Sequence, residues 1–194
     1  MTYLRMAMLL LIPLLLSGCL VRTLHPLCTP ADQVFEPGLL GLWVDVDDEN
    51  ISYEFSRLEG DIYSLVQRDA NEDETSYTVA RLMQIGETWL LDVYPDYEQS
   101  DCPNFFLWHN VPAHMFYRID RFEPTLMATT MHYGWLAEYL EGNPGALAHE
   151  LQEVPGDEEA ILVITASTEE LKAFIDEQLA NEEAWYDLQE YARQ

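Results

Sequence analysis

The sequence predicts an α+β domain: a curved or closed antiparallel β-sheet with two or three helices packed on it, the main one C-terminal. Three observations predict it. Ile51, Tyr53 and Phe55 alternate with Ser52, Glu54 and Ser56, the two-residue period of a half-buried strand. Short apolar segments are separated by Glu59-Gly60-Asp61, by Asp69 to Glu74 and by Gly86-Glu87, which read as the turns of consecutive hairpins. Towards the C-terminus, Ser167-Thr168-Glu169-Glu170 has capping-box spacing, and Leu171, Phe174, Ile175 and Leu179 follow on one helical face.

In chain order, Gly41-Leu42-Trp43 opens a strand through Val44 and Val46, which Asp47-Asp48-Glu49-Asn50 ends. The alternating strand at Ile51 follows, then Ile62 to Gln67, Thr75 to Met83 and Thr88 to Tyr94, closed by Pro95. A polar loop over residues 95–104 contains Cys102. Strands are expected again at Phe105 to Val111, His114 to Phe122 and Leu126 to Tyr133. Trp135, Leu136, Tyr139 and Leu140 fall on one face of a short helix that Gly142-Asn143-Pro144-Gly145 stops. Ala160 to Thr165 is a continuous apolar run, read as a strand buried on both faces, and it leads into the capping box. After Asn181, Trp185, Leu188 and Tyr191 are expected to continue the helical stripe.

The N-terminal stretch sets the compartment. Arg5 precedes an unbroken apolar run from Met6 to Leu16, and Leu16-Ser17-Gly18-Cys19 closes it. The run is much shorter than the roughly 20 residues a spanning helix needs, so it reads as a secretory signal over residues 1–18. The box resembles that of bacterial lipoproteins. That resemblance implies a thioether-linked diacylglycerol on Cys19, cleavage before it and acylation of the new amino group. Leu20 rather than aspartate after the cysteine favours, by the same resemblance, an outer-membrane anchor facing the periplasm. Residues 19–38, with Pro26, Pro30 and Pro37, read as a lipid-anchored tether, and residues 39–194 as one globular domain.

The chain has 35 acidic and 9 basic residues, a net charge of −26. Such a field excludes nucleic acid as a partner through any basic patch, and anionic headgroups likewise. The membrane is therefore a partner through lipid, not through charge. With Cys19 given to lipid, Cys28 and Cys102 remain together in an oxidising compartment, where a disulfide between them is expected, with two separate thiols as the alternative.

Motifs specific for catalysis are lacking: there is no Gly-x-Ser-x-Gly elbow, no phosphate loop and no Cys-x-x-Cys pair. His149-Glu150-Leu151-Gln152-Glu153 has glutamate where a zinc-protease helix needs its second histidine. Asp45 to Asn50 departs from a calcium loop at position six, where Asn50 replaces glycine. His109, His114 and His132 are the candidate metal ligands, with hydrogen-bonded histidines as the alternative. No cofactor is expected.

Gly41-Leu42-Trp43 resembles the Gly-x-Trp opening of lipocalins and lipocalin-like bacterial lipoproteins. That resemblance implies a barrel in which the tryptophan plugs the base. Trp89 to Pro95, Val111 to His114 and Leu162 to Leu171 are similar to stretches of a group of small bacterial lipoproteins, a likeness that implies no activity. The expected function is a non-enzymatic envelope binding module for an apolar small molecule or an envelope protein, with Trp43, Tyr53 and Phe55 as ligand-binding candidates. The alternatives are an envelope scaffold or assembly factor, and an enzyme using His114 with acidic residues.

Overall fold

The computed structural model describes residues 20–99, 110–152 and 161–194. The described chain starts with β1 (Arg22–Thr23) and then crosses to a 3-10 turn at Pro37–Leu39. A meander follows: β2 (Gly41–Asp45), β3 (Ile51–Arg57), β4 (Tyr63–Asp69), β5 (Glu74–Ile85), β6 (Thr88–Pro95), β7 (Met115–Arg121) and β8 (Thr125–Thr130). Next come helix α1 (Tyr133–Gly142), the hairpin β9 (His149–Gln152) with β10 (Ile161–Ile164), helix α2 (Thr168–Gln178), and β11 (Gln189–Arg193).

Seven meander strands and β11 form a closed eight-stranded antiparallel barrel, β11 pairing with β8 on one side and β2 on the other. The α+β closed sheet is thus the fold. Turn chemistry explains the local steps: Gly60 and Gly86 take positive φ, 73° and 58°, in the tight connections leaving β3 and β5. Closure removes the sheet edges that an open meander would leave.

Two cores result. Inside the barrel, Trp43, Phe55, Tyr63, Leu65, Leu82, Leu91 and Ile119 pack together. On the outer face of β5 to β7, Met83, Leu90 and Phe116 are covered by Val21, Leu27, Leu136, Leu162, Phe174 and Ile175. This second layer consists of α1, α2 and a small sheet in the order β1-β10-β9. The Ser167 capping box forms: Ser167 N–H donates to Glu170 Oε2 at 2.9 Å, and Glu170 N–H to Ser167 Oγ at 3.3 Å.

Three expectations are corrected. Residues 20–38 do not form a free tether: Val21, Thr23, Leu27 and Cys28 are buried, and β1 pairs parallel with β10. The prolines hid this by breaking the periodicity of a segment that packs irregularly. Tyr191 lies not on a helix but in β11; the 3-10 turn at Glu182–Ala184, capped by Asn181, ends the helical path, and long-range pairing then overrides the three-residue spacing. β10 is buried on one face only, at Leu162 and Ile164, because it sits in the outer layer rather than in the barrel. Of the strand expected at Phe105 to Val111, residues 105–109 lie outside the described residues.

Candidate functional site

Cross-strand partners share a sheet face, so the register identifies the interior. Trp43 is opposite Tyr53, Tyr53 opposite Gln67, and Phe55 opposite Leu65. On the far wall Leu91 is opposite Tyr117, and Tyr117 opposite Thr130. Tyr191 is opposite Asp45 and Leu126. All these positions point into the barrel, and they divide into a filled end and an open one.

The filled end is built around Trp43, which is fully buried and donates its indole N–H to Leu39 O at 2.9 Å. The Arg193 guanidinium lies over its ring and donates to Leu40 O at 2.7 Å and Gly38 O at 2.6 Å. Gly41 has φ of 121°, and a Cβ there would come within 3.2 Å of Arg193 Nη1, so glycine serves both the backbone and the approach. Phe35 stacks on Tyr63 at 5.4 Å, and Trp89 meets Phe122 edge-on at 5.4 Å. Phe55 belongs to this packed region, 5% exposed and edge-on to Tyr63.

The other end is not packed shut by the described residues. Tyr53, Gln67, Thr78, Met115, Tyr117 and Thr130 face inward there, yet each keeps intermediate exposure. Tyr53 and Tyr191 meet edge-on with centroids 5.2 Å apart, and the Tyr191 hydroxyl donates to Gln189 Oε1 at 2.6 Å. Burial, with the nearby Tyr117 phenol and the Asp45 and Asp69 carboxylates, pushes the Tyr53 phenol up to about 12. Burial raises Tyr117 and Tyr191 as well. Tyr117 packs against the barrel core yet keeps intermediate exposure.

A second polar cluster lies outside the barrel wall, beneath β1. Asp92 is buried and accepts the Cys28 N–H at 2.9 Å on one oxygen, while His114 Nδ1 is 2.7 Å from the other. Tyr94 covers the His114 ring at 4.5 Å. The geometry is not that of a nucleophile and base: it is the Cys28 amide that reaches Asp92, and the Cys28 sulfur points to Leu82 O at 3.8 Å. Burial pushes the thiol up to about 12, which keeps it protonated and unreactive. Cys28 is a buried free thiol among the described residues. Its expected partner, Cys102, lies outside them, as do Cys19 and His109.

His132 has another task. It caps α1, accepting the Trp135 N–H on Nδ1 at 2.9 Å, and stacks on Tyr186 at 4.2 Å. His114 and His132 are therefore engaged separately. Among the described residues no three His, Cys, Asp or Glu side chains converge as a metal set.

Of the expected binding residues, only Tyr53 faces the open part, while Trp43 and Phe55 lie in the filled part. Sequence reasoning missed Tyr117 and Tyr191. Parity exposes Tyr117, two residues from Met115 and Ile119 on the same strand face; Tyr191 was concealed by its helical spacing from Leu188. No family model, curated protein or solved structure matches the sequence.

Proposed function

We propose that the protein is a lipid-anchored component of a bacterial envelope that holds one small, largely apolar ligand in the open end of its barrel. The supporting observation is the contrast between the ends: Trp43 is sealed at one, while Tyr53 and Tyr117 stay deep yet accessible at the other. The interior of an eight-stranded barrel is either filled by its own side chains or holds one small ligand, and the accessibility of Tyr53 and Tyr117 favours the second. The anchor reading rests on Leu16-Ser17-Gly18-Cys19. Val21 is only 2% exposed, so acyl chains on Cys19 would hold the barrel close to the membrane without a spacer.

Binding is tested by titrating the protein with neutral apolar probes while its tryptophan and tyrosine emission is followed. Saturable binding that weakens in Tyr53→Ala, with the fold intact, supports the reading; no saturable binding across a broad panel removes it. For the anchor, Cys19→Ala should abolish incorporation of labelled acyl chains, and unchanged labelling would refute acylation at that residue.

A scaffold role is the second reading, favoured by one observation. A groove of 480 Å³ between α1 and the hairpin of β9 and β10 is lined by Ala137, Leu140, Leu151 and Leu162. Leu151 is 59% exposed on β9, the edge strand of its sheet. Pull-down of an envelope protein that is lost in Leu151→Asp would favour this role.

A further inference from the structure

β9 is the edge strand of the outer sheet, and its open side carries a pattern. Thr165 N–H donates to Ala148 O at 2.8 Å, so the alternation of an antiparallel ladder makes Glu150–Val163 and Gln152–Ile161 the hydrogen-bonded pairs. His149 and Leu151 therefore turn their backbone N–H and C=O groups away from β10, to the side where no described strand of the sheet lies. Their side chains share a face with Leu162 and Ile164, and with Ala137 and Leu140 of α1 they line the 480 Å³ groove. Leu162 is 1% exposed and its partner Leu151 59%, so the apolar floor runs out to an edge that water still reaches. An open row of backbone groups beside an apolar groove is what an added strand uses: the backbone supplies affinity, and alternate side chains fill the groove.

The charge around this edge has one sign. Glu138 and Glu141, exposed and one turn apart on α1, line the groove, and exposed Glu150 stands on the opposite face of β9. None of the three forms an ion pair among the described residues. Arg22 shares the face of Glu150 but is separated from it by β10. Charge therefore decides between occupants. A second copy docked by the same edge would bring these glutamates against their own kind, and single-sign charge on a short edge strand guards against such self-pairing. A strand carrying lysine or arginine would meet a complementary field.

Resting on the scaffold reading above, we propose that β9 and the groove beside it capture an extended segment of another protein in which apolar and basic residues alternate. The segment adds as a strand along the His149 and Leu151 edge. Its apolar side chains lie over the groove beside Leu151 and Ala137, and its basic ones stand beside Glu150 on the other face. Glu138 and Glu141 attract the same segment as it approaches, so the edge selects basic partners through encounter as well as contact.

Anisotropy titrations use the full chain in neutral detergent at about 0.15 M salt, with the end-blocked, dye-labelled peptide Lys-Val-Lys-Leu-Lys-Val-Lys as probe. It should bind saturably, and its counterpart with glutamate at every lysine should not. Glu138→Gln with Glu141→Gln and Glu150→Gln should weaken it about tenfold, a gap of roughly 1.4 kcal/mol. Glu59→Gln with Glu72→Gln, in turns of the barrel, should change nothing, and Leu151→Ser should weaken binding. Methylating the amide nitrogens along one edge of the peptide should abolish binding, and along the other edge should spare it. Equal binding of both peptides, an affinity that survives the triple variant, or equal loss from methylation at either edge would overturn the proposal. So would a dimer of the full chain, seen by sedimentation, that Leu151→Ser disperses, since the edge then belongs to a second copy. If the lysine peptide does not bind, this proposal fails; the scaffold reading outlives that result where an envelope protein is still pulled down through Leu151, and falls with it where none is.

Discussion

The Arg193 guanidinium carbon lies 4.2 Å from the centre of the Trp43 ring, which clamps the last strand of the barrel onto the first. The same side chain ties β11 to the 3-10 turn through the Leu40 and Gly38 carbonyls. Closure is therefore fastened at the filled end, away from the mouth.

Arg193→Ala should cost about 2 kcal/mol, from the lost cation–π contact and two charge-assisted hydrogen bonds at a partly exposed site. Arg193→Lys keeps the charge but not the planar fork, and should recover less than half. Trp43→Ala empties a fully buried site and should cost about 3–5 kcal/mol. Urea denaturation reads all three, and the Arg193 and Trp43 losses should be less than additive because the residues touch. Additive losses would show that the clamp does not couple the strands.

Asp92 holds the N-terminal segment onto the barrel wall, bonding both Cys28 N–H and His114 Nδ1 while 1% exposed. Asp92→Ala leaves both groups buried without an acceptor, and a loss of about 2–4 kcal/mol is expected. Amide exchange should rise first around residues 21–28, where the clamp acts. A loss below about 1 kcal/mol would mean that water replaces the carboxylate easily.

Much of the barrel was legible because the cause of each meander strand is local. The alternation at Ile51, Tyr53 and Phe55 and the glycine turns specify hairpins whose pairing partners are neighbours in sequence. β11 was not legible, since Gln189 to Arg193 becomes a strand only by pairing with β2, far away in sequence. The packing of Val21 and Leu27 was hidden for a related reason: it depends on pairing with β10, whose apolar run read as a strand buried on both faces but gave no sign of its partner. At the site, Tyr53 followed from alternation alone. Tyr117, Asp45 and Asp69 required the register that brings separate strands to one mouth.

The phenols at the mouth predict how stability depends on alkaline pH. Burial first, then neighbouring phenols and carboxylates, pushes Tyr53 up to about 12 and raises Tyr191 also, against an ordinary value near 10. Above about pH 10 the unfolded chain releases protons that the folded barrel retains, so the stabilisation is complete below pH 10 and is lost as pH rises towards 12. Urea midpoints measured from pH 8 to 11.5 should fall over that window, and Tyr53→Phe should flatten the decline. A midpoint unchanged to pH 11.5 would place these phenols in water.

Salt should act in the opposite sense. With 35 acidic residues against 9 basic ones, most carboxylates have no cation to pair with. The ion pairs that do form are mainly exposed, such as Arg57–Asp61 at 2.7 Å and Arg121–Glu190 at 3.1 Å, and exposed pairs contribute little. Repulsion among the remaining acids then opposes the compact barrel, and at low ionic strength it reaches well past neighbouring side chains, because the screening length is about 30 Å at 0.01 M and only about 8 Å at 0.15 M. Raising sodium chloride from 0.01 to 0.5 M at pH 7 should therefore raise the melting temperature by roughly 3–6 °C, corresponding to about 1–2 kcal/mol. The same series near the sequence isoelectric point of about 4.1 separates screening from general salting-out. There the net charge vanishes, so the rise should disappear; an equal rise at both pH values would assign the effect to the solvent rather than to the acids.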